Sequence, residues 1–147
     1  MFKHLLVPLD GSPMAEVSLV AAAFLARTLG ATVTLFHAIE RGAPQDIHGE
    51  RHLTSPDEAR AYLDEVAARA FPPDMPVERH VHANEVNDVA RSIAEHVAEL
   101  GPDLIVMCTH GRGGLRGFMF GRIAQQVLGL CTTPVLLVPP AASGASP

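Results

Sequence analysis

The stretch "MCTHGRGGLRGFMFGR", residues 107–122, gathers the residue types that bind anions. Glycines stand at 111, 113, 114, 117 and 121, and arginines at 112, 116 and 122. Glycine lets consecutive backbone N–H groups turn toward one point and lets an anion come close. A helix start just beyond would add free N–H donors and the positive end of its dipole. The chemistry suggested is phosphate binding. The spacing fits neither G-x-x-x-x-G-K-[ST] nor G-x-G-x-x-G, so the residues alone leave open a plain surface turn.

Other candidates are weaker. His80 and His82 share one face of an alternating segment, but two ligands are too few for a metal site, and the pattern reads as a solvated edge. His37 lies inside an apolar run and reads as a core histidine. His110 adjoins the glycine-rich loop and could touch a phosphate there, though its type and place do not require it. Ser12, Ser55 and Asp57 read as helix caps. There is no G-x-S-x-G, HExxH or CxxC, and no nucleophile is paired with a base. The sequence therefore names no catalytic residue, and the expectation is a protein that is not an enzyme.

These residues need a scaffold, and the chain supplies one in alternation. "HLLVPLD" (4–10) is a strand ended by a turn. Ser12 caps the helix that follows, with Pro13 in its first turn and Met14, Val17, Ala21, Phe24, Leu25 and Leu29 as its apolar stripe. Gly30 stops it. "TVTLFHAI" (32–39) is a buried strand. Residues 40–54 have no period and read as a mobile loop. Ser55 and Glu58 form a capping box for a helix to about residue 71. "VERHVH" (77–82) alternates and suits a half-exposed edge strand. Asn84 is the expected cap of a helix whose stripe is Val86, Val89, Ile93, Val97 and Leu100. "DLIVM" (103–107) is a fully apolar strand. A helix over about 120–130 and the strand "PVLLV" (134–138) complete the pattern.

Strands alternating with helices imply a parallel sheet covered on both faces. Such sheets bind ligands beyond the carboxyl ends of their strands, where strand order reverses. Two of these ends carry chemistry: "PLDGSP" after the first strand and "CTHGRGG" after the fourth. Composition bounds the rest. The chain has 147 residues, 48% hydrophobic and 18% charged, with a formal net charge of −5. That size suggests one domain, 1–139, with a disordered tail, 140–147. The negative charge argues against a nucleic-acid partner. No apolar run approaches the roughly 18 residues of a membrane span. The start is not a signal peptide, and Cys108 and Cys131 are expected as reduced thiols, so the expected location is cytoplasmic.

The segments "LLVPLDGSPMAE", "DLIVMCTHGRGGLRGFMFGRIAQQVL" and "TTPVLLVP" together resemble the universal stress protein family, over about residues 1–139. The resemblance implies an open five-stranded parallel sheet of order 3-2-1-4-5 with helices on both faces, Rossmann-like and similar to the adenine nucleotide alpha hydrolases. It also places the first and fourth strands side by side. Nucleotide-binding members carry Gly, two residues, Gly, nine residues, then Gly followed by Ser or Thr. Here that frame falls on Cys108, Gly111, Gly121 and Arg122, with Arg112 inside the loop. Two glycines match. Cys108 is a small replacement at a strand end. Arg122 stands where a hydroxyl would meet phosphate.

The resemblance implies that Pro8, Leu9 and Asp10 lie along the nucleotide, with Asp10 near the ribose or a Mg²⁺ ion. Ala38 would meet adenine through its backbone and Met107 would pack on the base. Ile123 and Ala124 would offer helix-start N–H groups. A cation in the first turn of a helix opposes the macrodipole by roughly 0.3–1 kcal/mol. Three roles for Arg122 are then compatible with the sequence: gripping a polyphosphate bidentately, filling the site against ATP, or swinging into solvent. The expected function is that of a stress-response protein that binds an adenine nucleotide, ATP first, as a sensor or regulatory partner, with any hydrolysis slow. AMP and cyclic AMP are further possible ligands. The rival is a nucleotide-free member acting through dimerisation and protein contacts. The resemblance implies that the uniformly apolar "PVLLV" lies at a sheet edge, and an exposed apolar edge points to a homodimer through 133–139.

Overall fold

The computed structural model describes residues 1–42, 46–47, 50–51, 53–109 and 122–140. Its elements run β1 (His4–Pro8), α1 (Ser18–Leu29), β2 (Thr32–Glu40), β3 (Asp46–Ile47), β4 (Glu50–Arg51), α2 (Pro56–Ala70), β5 (Val77–Val86), α3 (Val89–Leu100), β6 (Leu104–Cys108), α4 (Arg122–Leu130) and β7 (Val135–Val138). Five strands form a sheet in the order β5-β2-β1-β6-β7. Every neighbouring pair in it is parallel. Counted along the sheet-forming strands alone, this is the expected order 3-2-1-4-5.

The sheet has an apolar cluster on each face. On one side Leu5, Val7, Val33, Leu35, Leu104 and Val106 pack against α1 and α2. On the other, Leu6, Phe36, Ala38, Ile105 and Met107 pack against α3 and α4. Alternate residues of β1, β2 and β6 thus serve opposite faces, which is why these strands read as continuous apolar runs.

Helix α1 departs from the expected stripe. Its buried positions are Ser18, Leu19, Ala22 and Ala26, whereas Phe24 is 67% exposed and Leu29 is also exposed. The large apolar residues were a poor guide because the helix seats itself through alanines, which let it approach the sheet closely. The helix also starts late. Ser12 does not occupy the cap position: Met14 precedes a short 3-10 turn, Ala15–Val17, that leads into α1, and the Ser12 hydroxyl instead accepts from the Ala15 amide at 3.2 Å within the turn before it.

Two further boundaries differ. Asn84 does not cap α3, because β5 continues to Val86, which pairs with Glu40. Asp88 is the cap, accepting from the Arg91 amide at 3.0 Å. The loop expected over 40–54 holds a small antiparallel hairpin, β3 with β4, and Leu53 behind it is buried. The Ser55 cap is as expected, accepting from the Glu58 amide.

The amino ends of β1 and β6 are tied together. Asp103 accepts from the Lys3 amide at 2.8 Å and the His4 amide at 3.0 Å. Burial pushes the Asp103 carboxyl upward, but the Lys3 and His4 amides outweigh it and hold the carboxyl below its ordinary value.

Candidate functional site

The site develops where β1 and β6 part company. β1 pairs with β2 over five positions, from His4↔Thr32 to Pro8↔Phe36. With β6 it pairs only at Leu5↔Leu104 and Leu6↔Ile105. Beyond those two positions β6 stays with β7, through Cys108↔Val138. The carboxyl ends of β1 and β6 are therefore neighbours that diverge, which is the crevice expected at a switch of strand order.

One wall is "PLDGS". Leu9 continues the ladder, its amide donating to the Phe36 carbonyl at 2.9 Å. The Leu9 carbonyl accepts from His37 Nδ1 at 2.8 Å. A carbonyl cannot donate, so His37 carries a proton on Nδ1. His37 is a buried core histidine, as expected, and it also fastens the end of β1 to β2. The chain then turns at Gly11, whose φ of 88° a side chain rarely tolerates. That turn brings the Ser12 amide to Asp10 Oδ1 at 2.8 Å and the Ser12 hydroxyl to the same oxygen at 2.5 Å. The half-buried Asp10 carboxylate is thus aimed by its own turn.

Ser12 was legible only as a cap. Its role in orienting Asp10 has a signature in the D-G-S triplet, because Asp commonly accepts from the amide two residues on. Behind Asp10 lie Tyr62 of α2 and Glu16. Burial pushes the Tyr62 phenol well above its ordinary value, and the Glu16 and Asp10 carboxylates push the same way. Glu16 pairs with Arg69 of α2, so the ion pair joins α2 to the turn after Asp10.

Ala38, Met107 and Ala124 belong to one buried apolar cluster with Phe36, Ile93 and Val127, on the face covered by α3 and α4. Three positions far apart in sequence are thereby brought together. Beside Ala38 the β2–β5 register shifts between Ala38 and Glu40, so the regular ladder is interrupted at this strand end. Arg122 and Ile123 open α4, and both are exposed. Because α4 returns antiparallel to β6, its first turn lies at the carboxyl end of the sheet. Gly111, Arg112 and Gly121 lie outside the described residues, as does His110.

His80 and His82 differ from the solvated edge expected of them. Both are half-buried and both pack on the buried His96 of α3. The reason is register. Phe36↔His80 and Ala38↔His82 put these rings on the face that α3 covers. Among the described residues, no group of three or more His, Cys, Asp and Glu side chains is arranged to hold a metal ion. Cys108 and Cys131 form no disulfide. Among the described residues no helix is long and apolar enough to cross a membrane.

Comparison with known proteins agrees with this geometry. The universal stress protein family model matches residues 1–139. The chain is 29% identical to Universal stress protein YxiE of Bacillus subtilis, covering 94% of this chain and 99% of that one. Its fold is similar to a solved universal stress protein in complex with cAMP, with a TM-score of 0.61 at 21% identity over 95% and 98% of the two chains. It is also similar to the universal stress protein from Archaeoglobus fulgidus in complex with dAMP, with a TM-score of 0.63 at 20% identity over 93% and 97%. The chain belongs to the universal stress protein family.

Proposed function

We propose that the protein binds an adenine nucleotide between the carboxyl ends of β1 and β6 and acts as a stress-response sensor or regulatory partner. The observation that carries the reading is the divergence of β1 and β6 after Leu6, with Asp10 just past the end of β1 and Ala38, Met107 and Ala124 together in one apolar cluster. Apolar surroundings suit a base, and an aimed carboxylate suits a ribose hydroxyl or a Mg²⁺ ion. The cAMP and dAMP complexes of related folds support an adenine ligand. ATP is the first candidate, since a helix start such as that of α4 offers free N–H donors to phosphate.

The residues present fit such a ligand in part. Asp10 is the described carboxylate at the site, so a Mg²⁺ ion here would be held by Asp10 together with phosphate oxygens rather than by a protein cage. Gly111, Gly121 and the first turn of α4 would receive the phosphates. The reading is of a binding protein and not an enzyme, and of a cytoplasmic one.

Release of bound ligand tests it. Freshly purified protein is denatured and the released small molecules are chromatographed. An adenine-containing peak is expected. Absence of that peak, together with no ATP-induced rise in melting temperature, overturns the reading.

Two observations favour a second reading, a nucleotide-free member acting through dimerisation. Arg122 stands where the nucleotide motif carries Ser or Thr. Among the described residues β7 is an edge strand that exposes Leu136 and Leu137 at 37% each, an apolar edge that a twin strand would cover. A homodimer through 133–139 is compatible with both readings, and light scattering that gives a monomer at micromolar concentration would remove it from both.

A further inference from the structure

Three imidazoles and a phenyl ring meet where β5 packs beneath α3. The His96 centroid lies 4.7 Å from Phe36, 4.8 Å from His80 and 5.0 Å from His82. Both β5 rings meet His96 steeply, at interplanar angles of 61° and 80°. His80 also stacks on Phe36, at 5.8 Å and 15°. His96 Nδ1 donates to the Ser92 carbonyl at 2.7 Å, which places the proton of the neutral ring on Nδ1 and leaves Nε2 bare.

Edge-to-face contact between neutral rings is attractive. Two protonated rings at this separation repel, and burial strengthens the repulsion. Little nearby offsets it. From α3 the facing charge is Glu99, which is exposed. β2 presents Thr34, Phe36 and Ala38 to this face, with the exposed Glu40 past the register shift, and the His4 ring of β1 meets the Thr34 hydroxyl at 2.7 Å. β5 adds Glu78, exposed on the same strand face. α2 covers the opposite face, where Asp64 pairs with Arg79. Burial pushes the His80 imidazole below its ordinary value; His96 pushes the same way, Glu99 opposes, and His82 adds to the lowering.

We propose that this ring cluster is an acid-sensitive latch on the edge strand: neutral rings hold β5 to α3, and proton uptake by two of them loosens the seam. β5 is vulnerable because, among the described residues, it is paired on one side only, to β2. Loosening it disturbs His82, the register partner of Ala38, and the start of α3 just beyond. The sign follows from His80. It binds fewer protons folded than unfolded, so its contribution to stability is complete above the unfolded value, about 6.5. That contribution is lost progressively as pH falls from this value through the lower folded one.

The test uses the full chain. Urea midpoints are measured from about pH 7.5 to about pH 5.5, and histidine Cε1–H resonances are titrated across the same window. The expected wild-type result is a falling urea midpoint and a His80 titration midpoint below about 6.5. His82→Gln, at a half-exposed position, should raise the His80 midpoint. His80→Phe keeps the ring packing without the charge and should remove about half of the acid-induced fall. The proposal is overturned if His80 titrates at its ordinary value and is unmoved by His82→Gln. It is equally overturned if His80→Phe loses as much stability on acidification as the wild type.

Discussion

Ser12 donates twice to one oxygen of Asp10, through its amide at 2.8 Å and its hydroxyl at 2.5 Å. Asp10 therefore enters the candidate site already oriented, and a ligand need not bear the cost of ordering it. Ser12→Ala should leave the fold intact and weaken adenine-nucleotide binding several-fold, since one hydrogen bond to a charged group is worth about 1.5–3 kcal/mol and the amide bond remains. Asp10→Ala should weaken it by tenfold or more. Calorimetric titration with ATP measures both, and equal affinity in all three proteins would remove Asp10 from the site.

Arg122 opens α4 at an exposed position. If its guanidinium grips the outer phosphates, Arg122→Ser should weaken ATP roughly tenfold while changing AMP much less. The ATP affinity of the wild type should also fall more steeply with salt than that of the variant. A variant that binds ATP more tightly than the wild type would make Arg122 a plug and favour the nucleotide-free reading.

Helix α1 offers a contrast between two apolar positions. Ala22 is fully buried and Phe24 largely exposed. Ala22→Leu should cost about 1–3 kcal/mol by overpacking. Phe24→Ser should change stability by no more than about 0.5 kcal/mol. Urea denaturation distinguishes them, and the reverse order would mean that the helix is rotated on the sheet.

Asp103 gives stability an acid limit of its own. Its folded carboxyl lies below its ordinary value, so its contribution is present above the unfolded value of about 3.9 and is lost as pH falls through the folded one. Asp103→Ala should cost about 1 kcal/mol near neutral pH, discounted because the group lies close to the surface. That difference should shrink below about pH 3. A difference that stays constant with pH would mean that the carboxylate's charge is not what ties β1 to β6.

Much of the fold was legible because β1, β2 and β6 are covered on both faces and so read as unbroken apolar runs. The alternation of Val77 and Val81 with Glu78, His80 and His82 likewise marked β5 as the edge. What the pattern could not carry was anything set by contact across elements. Ala22 and Ala26 are unremarkable as residues and matter only because the sheet lies beneath them. Asn84 and Asp88 are equally good caps in isolation, and the choice between them depends on pairing of Val86 with Glu40. His80 reads as solvated until register sets it beside Phe36, under His96. At the site, the turn chemistry of Asp10 and Ser12 was encoded locally, whereas the meeting of Ala38, Met107 and Ala124 depends on strand order. That order followed from the family's motif pattern and not from any periodicity.

The short pairing of β1 with β6 has a consequence for how the protein opens. Asp103 and two paired positions fasten these strands at their amino ends, and past Leu6 no ladder joins them. Amide hydrogens should therefore report a gradient of protection along both strands, slow to exchange near Leu5 and Ile105 and faster toward their carboxyl ends. A molecule seated between the diverging ends would act as the missing rungs. Its binding energy would appear first as slowed exchange at those ends, before it registers in the unfolding of the whole chain.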